Sequence, residues 1–272
     1  MNSKKIVVIL LTIGVVAVAC VMFSKISIKG VFTDNVKQDV VYTKDDTSEA
    51  AQGDFYVSGS EEEAYKEKCL EILKKYFNIS INNNEKLHFE ALRFNEKTLD
   101  EMKEKSIKDL KGLYENKKIS KEEYDKEMKS HDGGSDDVDA FIKGRVEKSK
   151  HGMISTTLED ENRSYLIVFN ENTKDVDFVM LNEANYNKSD DSLTLNEEQL
   201  KSTAENFIKQ NKLGNIENPK CILVKNGKVF CEDEKDQSKK VNVGIDTYTG
   251  KVINFSVNEY ASLEYDEEIN KE

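Results

Sequence analysis

Three histidines are the first residues to consider for chemistry, because His is the side chain best suited to general acid–base catalysis near neutral pH. His88 lies in a stretch that is typical of a β-strand, and His131 and His151 stand on either side of a loop-rich segment. His131 precedes four aspartates between positions 132 and 139 that could gather a cation. That run lacks the ligand spacing and the terminal Glu of an EF-hand calcium loop, so a solvated helix entry explains it better.

The sequence contains no pattern typical of metalloproteases, serine hydrolases, phosphate-binding loops or dithiol oxidoreductases. Three acidic clusters, at 61–63, 232–234 and 264–268, could supply paired carboxylates. However, the first suits a helix amino terminus, the second a turn and the third a frayed tail. We therefore expect no catalytic residue, no cofactor, no metal site and no enzymatic activity.

Cys221 and Cys231 flank the dipeptide Asn226-Gly227, which is typical of a β-hairpin turn. A two-residue turn pairs Lys225 with Lys228, which leaves the two cysteines on opposite faces of the hairpin. A three-residue turn with Gly227 in a bulge places Cys221 directly opposite Cys231 instead, near enough for a disulfide. Asn-Gly favours the two-residue turn, so we expect free thiols at both positions.

Cys69 falls on the apolar face of a predicted helix and is expected to be a buried thiol.

The amino-terminal segment decides where the chain resides. Residues 6–23 contain no charge, and 18 helical residues reach roughly 27 Å, close to the hydrocarbon thickness of a membrane. Lys4 and Lys5 precede this segment and favour a cytoplasmic amino terminus. We therefore expect a single-pass anchor in the cell membrane, with the bulk of the chain outside the cytoplasm.

Two alternatives to a transmembrane anchor remain. A cleaved signal peptide usually has a shorter apolar region and a small-residue cleavage site. A lipoprotein signal is the other, because Ala17-Val18-Ala19-Cys20 is similar to a lipobox in which Cys20 would carry the lipid. The apolar run continues past Cys20, and Ala17 stands where Leu is usual.

Charge excludes one class of partner. Four of the 40 basic residues flank the apolar segment, so the remainder has 36 basic against 52 acidic residues, a net charge of −16. Such a charge opposes contact with nucleic acid phosphates. We expect a protein partner in the membrane or cell envelope and no nucleic acid.

Two amphipathic stretches predict helices behind this anchor. The first begins at Ser60, which has capping-box spacing to Glu63, and continues to Phe77. The second runs over 196–211, with Asn196 as N-cap and Gln199 three positions later. It is expected to bury four apolar side chains, those of Leu200, Ala204, Phe207 and Ile208, against a sheet that includes Val241, Val243, Ile245, Ile253, Phe255 and Val257.

Four apolar runs follow the second helix, separated by turn residues, and predict an antiparallel sheet. They cover 221–224, 229–231, 241–245 and 252–257. Residues 165–170 and 176–183 match the last two of these runs at a constant offset of 76 positions, and the two helices match at an offset of about 135. This self-similarity predicts two repeats of one helix-plus-sheet unit.

The first repeat carries an insertion at about 95–151. A predicted strand over 87–94 precedes helices at 98–114 and 120–129, the second with a Ser120/Glu123 capping box. Residues 109–124 resemble the short helical motif called SHOCT, with Lys where its inter-helix Gly is usual. An ordinary helical hairpin is the alternative.

The second repeat resembles PepSY-like domains through Val241-Asn242-Val243-Gly244-Ile245-Asp246 and Thr249-Gly250-Lys251-Val252, which follow an amphipathic helix. The tandem arrangement behind an anchor is similar to bacterial YpmB-type membrane proteins. The resemblance implies a cystatin/PepSY-like fold and a non-enzymatic module that modulates a protease, a cell-wall enzyme or a signalling partner. It brings no catalytic residue with it.

We therefore predict an α+β protein that acts as a membrane-anchored binding or regulatory module. The alternatives are a divergent cell-envelope hydrolase using His88 or His151, and a lipoprotein spacer. The predicted organisation is a cytoplasmic tail at 1–5, a transmembrane helix at 6–23, a linker at 24–59, a first repeat at 60–184, a second repeat at 193–261 and an acidic tail at 262–272.

Overall fold

The computed structural model describes residues 55–81, 87–129, 131, 144, 146–147, 151–159, 163–183 and 194–270. Two compact units divide the chain. One comprises residues 1–55 and 96–144, and the other comprises 56–95 and 145–272. The predicted cytoplasmic tail, transmembrane helix and most of the linker lie outside the described residues.

The larger unit is an α+β structure built on one antiparallel sheet. Its helices are α1 (Ser60–Phe77), α4 (Glu197–Asn211) and α5 (Asn258–Ile269). Its strands are β1 (His88–Phe94), β2 (Met153–Glu159), β3 (Arg163–Asn170), β4 (Val176–Glu183), β5 (Pro219–Lys225), β6 (Lys228–Asp233), β7 (Lys240–Ile245) and β8 (Val252–Val257). The strand order is β1-β2-β3-β4-β8-β7-β6-β5.

Hairpins β3–β4 and β7–β8 have the same register. Ile167 pairs with Val179 in the first, and Val243 pairs with Phe255 in the second, each residue shifted by 76 positions. Both hairpins also contain a β-bulge at the equivalent step, after Val168 and after Gly244. The offset found in the sequence therefore extends to the backbone pairing.

The loops of these two hairpins are also alike. Asn170 N–H donates to Asp175 O in the first loop, and Asp246 N–H donates to Lys251 O in the second, both at 2.9 Å. Lys174 and Gly250 occupy the equivalent loop position, with φ of 63° and 70°. Gly is favoured at this left-handed position and Lys is uncommon there, so the two loops share a conformation although their residues differ.

Helices α1 and α4 cover one face of the sheet. The buried residues of α4 are Leu200, Ala204 and Ile208, and those of α1 include Tyr65, Cys69 and Leu73, which precede them by 135 positions. Both sets pack into one apolar core with the alternate residues of the strands. The predicted helix offset is thus present in the buried positions.

The two halves of the sheet meet where β4 pairs with β8. Val179 lies opposite Phe255, and these are equivalent residues of the two hairpins, so a local pseudo-twofold axis passes through this pair. Phe255 is fully buried, and its ring centroid lies 5.0 Å from Tyr76 and 6.0 Å from both Phe77 and Phe207. We call these four rings the seam cluster; they join α1, α4 and β8.

Two core predictions need correction. Phe207 is only half-buried, because it lies at the edge of the seam cluster. Ile253 was predicted to face the core, but the bulge leaves it unpaired and pairs Val252 with Ile245. Val252 therefore packs against the core in its place.

Helix α5 lies on the opposite face, because it contacts β4, β7 and β8 and its Glu264 reaches Asn242 and Ser256, which alternate with core residues along their strands. Glu264 is buried and accepts a hydrogen bond from Asn242 Nδ2 at 2.9 Å and a short one from Ser256 Oγ. The frayed acidic tail that the sequence predicts from residue 262 is thus a helix, since polar contacts hold it.

Three further predictions differ from the structure, at the start of α1, in the predicted linker and at β2. Ser60 was predicted as a cap, but Gly59 occupies the N-cap position with φ 65° and no side-chain cap bond. Val57, expected in the linker, is buried and its N–H donates to Ala91 O at 3.0 Å. Strand β2 was not predicted at all, although its β-branched residues between 154 and 157 favour a strand.

The amino terminus of α4 agrees with prediction. Asn196 Oδ1 accepts from Gln199 N–H, and Gln199 Oε1 accepts from Asn196 N–H, both at 2.9 Å. We expect Asn196→Ala to lower the free energy of unfolding by about 1 kcal/mol, because the backbone N–H of Gln199 loses its side-chain acceptor.

Denaturation of the variant measures this loss, and Asn206→Ala is the matched control because Asn206 is exposed within the same helix. The control should be neutral or slightly stabilising, since Ala has the higher helix propensity. Equal losses in the two variants would show that the cap contributes nothing specific.

The smaller unit contains α2 (Glu96–Glu115) and α3 (Lys121–Lys129). Ser120 and Glu123 form the predicted capping box, with bonds of 3.1 Å and 2.8 Å. Tyr114 and Tyr124 stack at 4.8 Å. Lys117 in the turn has φ 54°, a conformation that favours Gly.

Within the part of the chain that the structure describes, no helix has the length and apolar character required to cross a membrane.

Candidate functional site

His151, Asp177 and Glu259 form a cluster that we call the proton cluster. His151 precedes β2, Asp177 lies in β4, and Glu259 lies in the first turn of α5. His151 Nε2 is 3.3 Å from Glu259 Oε2, and His151 Nδ1 is 3.0 Å from Gly152 O. Both ring nitrogens face oxygen acceptors, so an imidazolium with two N–H donors satisfies this geometry.

Asp177 is the buried carboxyl of the proton cluster, with 7% of its surface exposed. Burial raises its pKa to about 6, because the charged form loses its hydration. The charge of His151 opposes this effect, whereas the carboxylates of Glu259 and Asp175 add to it. Asp177 therefore changes its charge in the mildly acidic range.

The bulge after Val168 explains why an Asp can lie in β4. Asp177 is the residue left unpaired between Val176 and Phe178, and it is equivalent to Ile253 in β8. A bulge residue breaks the alternation of side chains along a strand. The two halves thus use one backbone irregularity for different side chains, an acid in one and an aliphatic residue in the other.

The proton cluster places an imidazole next to one partly exposed and one buried carboxyl group. A His positioned by a carboxylate is suited to general acid–base chemistry. Hydrolysis also requires a hydroxyl, a thiol or an activated water aligned with that His. The sequence singled out His151 but not Asp177 or Glu259, since 108 positions separate the first and last members of the cluster.

His88 lies at the exposed start of β1, opposite Glu159. Burial raises the pKa of Glu90, and the neighbouring Glu159 and Glu62 raise it further, whereas His88 lowers it. Burial and the charge of Glu63 raise the pKa of Glu62. Several carboxylates thus lie close together near the edge strand β1, and this arrangement was not predicted from the sequence.

His131 in the smaller unit lies near a serine that the sequence did not single out. Ser106 Oγ is 3.2 Å from His131 Nε2, and Ser106 is buried on α2. The aspartates at 132–139, considered above as cation ligands, lie outside the described residues. Among the residues that are described, no group of three or more His, Cys, Asp or Glu side chains is arranged to hold a metal ion.

The cysteines of hairpin β5–β6 contradict the expected register. Asn226 and Gly227 have φ of 52° and 79°, and Lys225 pairs with Lys228, so the two-residue turn is confirmed. However, a bulge between Cys221 and Leu223 shifts the pairing by one residue. Cys221 therefore lies opposite Cys231, and the prediction that the cysteines point to opposite faces is wrong.

Strand β5 is one edge of the sheet, and within the described ranges no strand pairs with its outer side. At the other edge, Tyr56 forms a bridge with Leu92 of β1. Edge strands are sites where an extended peptide can add. The Ile222 bulge and Pro219 interrupt the regular hydrogen bonding of β5, which restricts addition to part of the strand.

No family model matches the sequence, and no curated protein matches it. Among solved structures, the chain is similar to the Bacillus megaterium YpeB C-terminal domain, with 14% identity and a TM-score of 0.30. The match covers 42% of this chain and 51% of that one, so it spans about half of that structure. The likeness is weak, and the fold described above rests on the strand pairing alone.

Proposed function

We propose that the chain is a membrane-anchored, extracytoplasmic binding or regulatory module that acts on a protein of the cell envelope, such as a protease, a wall enzyme or a signalling partner. The observation that carries the proposal is a continuous sheet that ends in the edge strand β5. Backbone donors and acceptors along such an edge bind an extended peptide in the manner of an added strand.

We also propose that the two halves of the sheet are two copies of one PepSY-like unit, the first interrupted by α2 and α3. Hairpins β3–β4 and β7–β8 share register, bulge position and loop hydrogen bonds at one constant offset. A bulge at the same step is harder to obtain by chance than the alternation of apolar residues that any hairpin requires. This agreement supports duplication.

The membrane anchor in this proposal rests on residues 6–23, which lie outside the described part of the chain. Their uncharged length supports a span, and the charge of −16 on the remainder supports a protein partner over nucleic acid. Extraction tests the anchor: the intact chain should require detergent, and an intact chain that partitions into the aqueous phase would contradict it.

Site-specific photocrosslinking in intact cells tests the binding role. A photoreactive residue replaces Lys220, which is exposed on β5, and a matched variant carries it at Glu67, which is exposed on α1. We expect one discrete crosslinked product from position 220 and none from position 67. Equal crosslinking at both positions, or none at either, would contradict binding through the β5 edge, and the second result is the one expected of a spacer.

The proton cluster favours a second candidate function, a divergent cell-envelope hydrolase with His151 as general base. Under this hypothesis, His151→Gln abolishes release of soluble fragments from isolated cell walls or from a labelled protein substrate, and Asp175→Asn does not. Asp175 serves as control because it is exposed and lies two positions from Asp177. If the wild-type chain releases nothing above background, this candidate fails and the binding module stands.

A further inference from the structure

Cys221 and Cys231 lie close together, face each other directly across two strands and differ in their exposure to solvent. Their sulfur atoms are 2.9 Å apart, and the residues are direct partners across β5 and β6. Cα atoms of directly opposed antiparallel residues are separated by about 4.5–5.5 Å, within the range that disulfides span. Small χ1 rotations therefore bring the sulfurs to bonding distance without backbone movement.

The two sulfurs differ in access. Cys231 is fully buried in the core, whereas Cys221 is partly exposed on the edge strand. Cys221 Sγ is also 3.6 Å from Glu205 Oε1 on α4. The hydrogen bond with Cys221, followed by burial, raises the pKa of the Cys231 thiol, so that Cys231 retains its proton while Cys221 meets solvent. An oxidant thus reaches Cys221 first.

We propose that Cys221 and Cys231 are a redox modification site, which forms an intramolecular disulfide between β5 and β6 when the chain meets a disulfide oxidant. The Cys221 thiolate attacks one sulfur of the oxidant, the S–S bond of the oxidant breaks, and one thiol leaves. Cys231 then attacks Cys221 Sγ in the mixed disulfide, the mixed disulfide breaks, and the proton of Cys231 passes to the departing sulfur, which leaves as the second thiol. The cysteine pair gives up two electrons, and the oxidant accepts them.

The site lies on the same hairpin as the edge that the proposed function uses, but it does not depend on that function. The bond joins β5 covalently to β6 and limits the opening of the edge strand. Cys69 differs from this pair because it is buried and forms a hydrogen bond with Thr156 Oγ1 at 3.2 Å. Burial also raises the pKa of the Cys69 thiol to about 12. It is expected to remain reduced.

Thiol counting on the reduced, folded full-length chain tests the proposal, with oxidised glutathione as the oxidant. The chain has four cysteines, and after oxidation, quenching and denaturation we expect two free thiols. Trypsin cleaves after Lys220, Lys225, Lys228 and Lys235. The linked product is therefore peptide 221–225 joined to peptide 229–235.

Two alanine variants identify the order of reaction. Cys231→Ala should accumulate a glutathione adduct on Cys221, and Cys221→Ala should leave Cys231 unmodified as long as the chain is folded. Cys69→Ala is the matched control and should form the same linkage as wild type. Oxidation should raise the midpoint of thermal unfolding of wild type and of the Cys69 variant, with no rise in either pair variant.

Several results would overturn the proposal. One is four free thiols in the folded wild-type chain under conditions that oxidise the urea-unfolded chain. Another is a linkage that maps to Cys69 or joins two chains. The wild-type measurement decides by itself, so a pair variant that fails to fold leaves the test intact.

Discussion

Phe255→Ala is expected to lower the free energy of unfolding by about 3–5 kcal/mol and to loosen both halves of the sheet at once. The Phe255 side chain is fully buried, and it contacts Phe207 of α4 as well as Tyr76 and Phe77 of α1. Truncation leaves a cavity bordered by helices of both halves. It also removes aromatic contacts that are worth more than their buried area alone.

Urea denaturation followed by far-ultraviolet circular dichroism measures this loss, a suitable signal because the chain has no Trp. Hydrogen exchange then locates it: the amides of Leu73 in α1 and Ile208 in α4 should both lose protection. If the halves were independent, protection would fall in α4 alone. A loss below about 1 kcal/mol would place Phe255 outside any tightly packed core.

Two other aromatic positions provide matched controls. Phe207→Ala should cost less, about 1–2 kcal/mol, because Phe207 is only half-buried at the edge of the seam cluster. Tyr248→Ala should change stability by less than about 0.5 kcal/mol, since half of the Tyr248 surface is exposed. The expected order of losses is therefore Phe255, Phe207, Tyr248.

Local signals made much of the fold predictable from sequence. The capping box at Asn196 depends on residues only three positions apart, and the Asn-Gly turn at 226–227 depends on two. The offset of 76 positions was also visible, because equivalent strands bury equivalent residues. The cap and the turn are determined by near neighbours in the chain, and the structure agrees with them and with the offset.

The β-bulges were not predictable in this way. The step after Cys221 and the unpaired Ile253 each shift a strand by one residue, which reverses the face of every side chain beyond it. When helices cover both faces of a sheet, apolar residues occur on both faces of a strand. The sequence pattern before and after a bulge is then the same and does not reveal the bulge. Packing of α4 on one face and α5 on the other selects the register, and neither is a local property.

Helix α5 was missed for a related reason. Its buried residues are Tyr260, Ala261 and Glu264, so its core-facing side includes an acid and presents no apolar stripe. A buried Glu is acceptable only because Asn242 and Ser256 donate to it, and both belong to strands. The proton cluster escaped prediction likewise, since its three residues come from different elements.

The proton cluster leads to the second large effect, on pH dependence. The pKa of Asp177 is raised from 3.8 to about 6, so between these two values the folded chain binds more protons than the unfolded chain. Stability must then fall as the pH rises through this window, because the slope follows the difference in bound protons. Above about pH 6, the full cost of a buried carboxylate remains.

Asp177→Asn should remove that cost. A shift of this size corresponds to roughly 3 kcal/mol, so the variant should be more stable than wild type at pH 7 by up to about that amount. The difference should shrink below pH 6 and become small near pH 3.5, where Asp177 is mostly protonated in both states. Denaturation midpoints of the two proteins across pH 3.5–8 measure the effect.

Two further variants distinguish the titration of Asp177 from a general effect of reducing the net negative charge. Glu71→Gln removes an acidic charge at an exposed position on α1 that does not shift the pKa of Asp177, and should change stability by less than about 0.5 kcal/mol at any pH. His151→Gln should raise the pKa of Asp177 further, since the charge of His151 opposes the burial effect, and should move the loss of stability to higher pH. A constant stability difference between wild type and Asp177→Asn from pH 3.5 to 8 would mean that Asp177 does not titrate in this window.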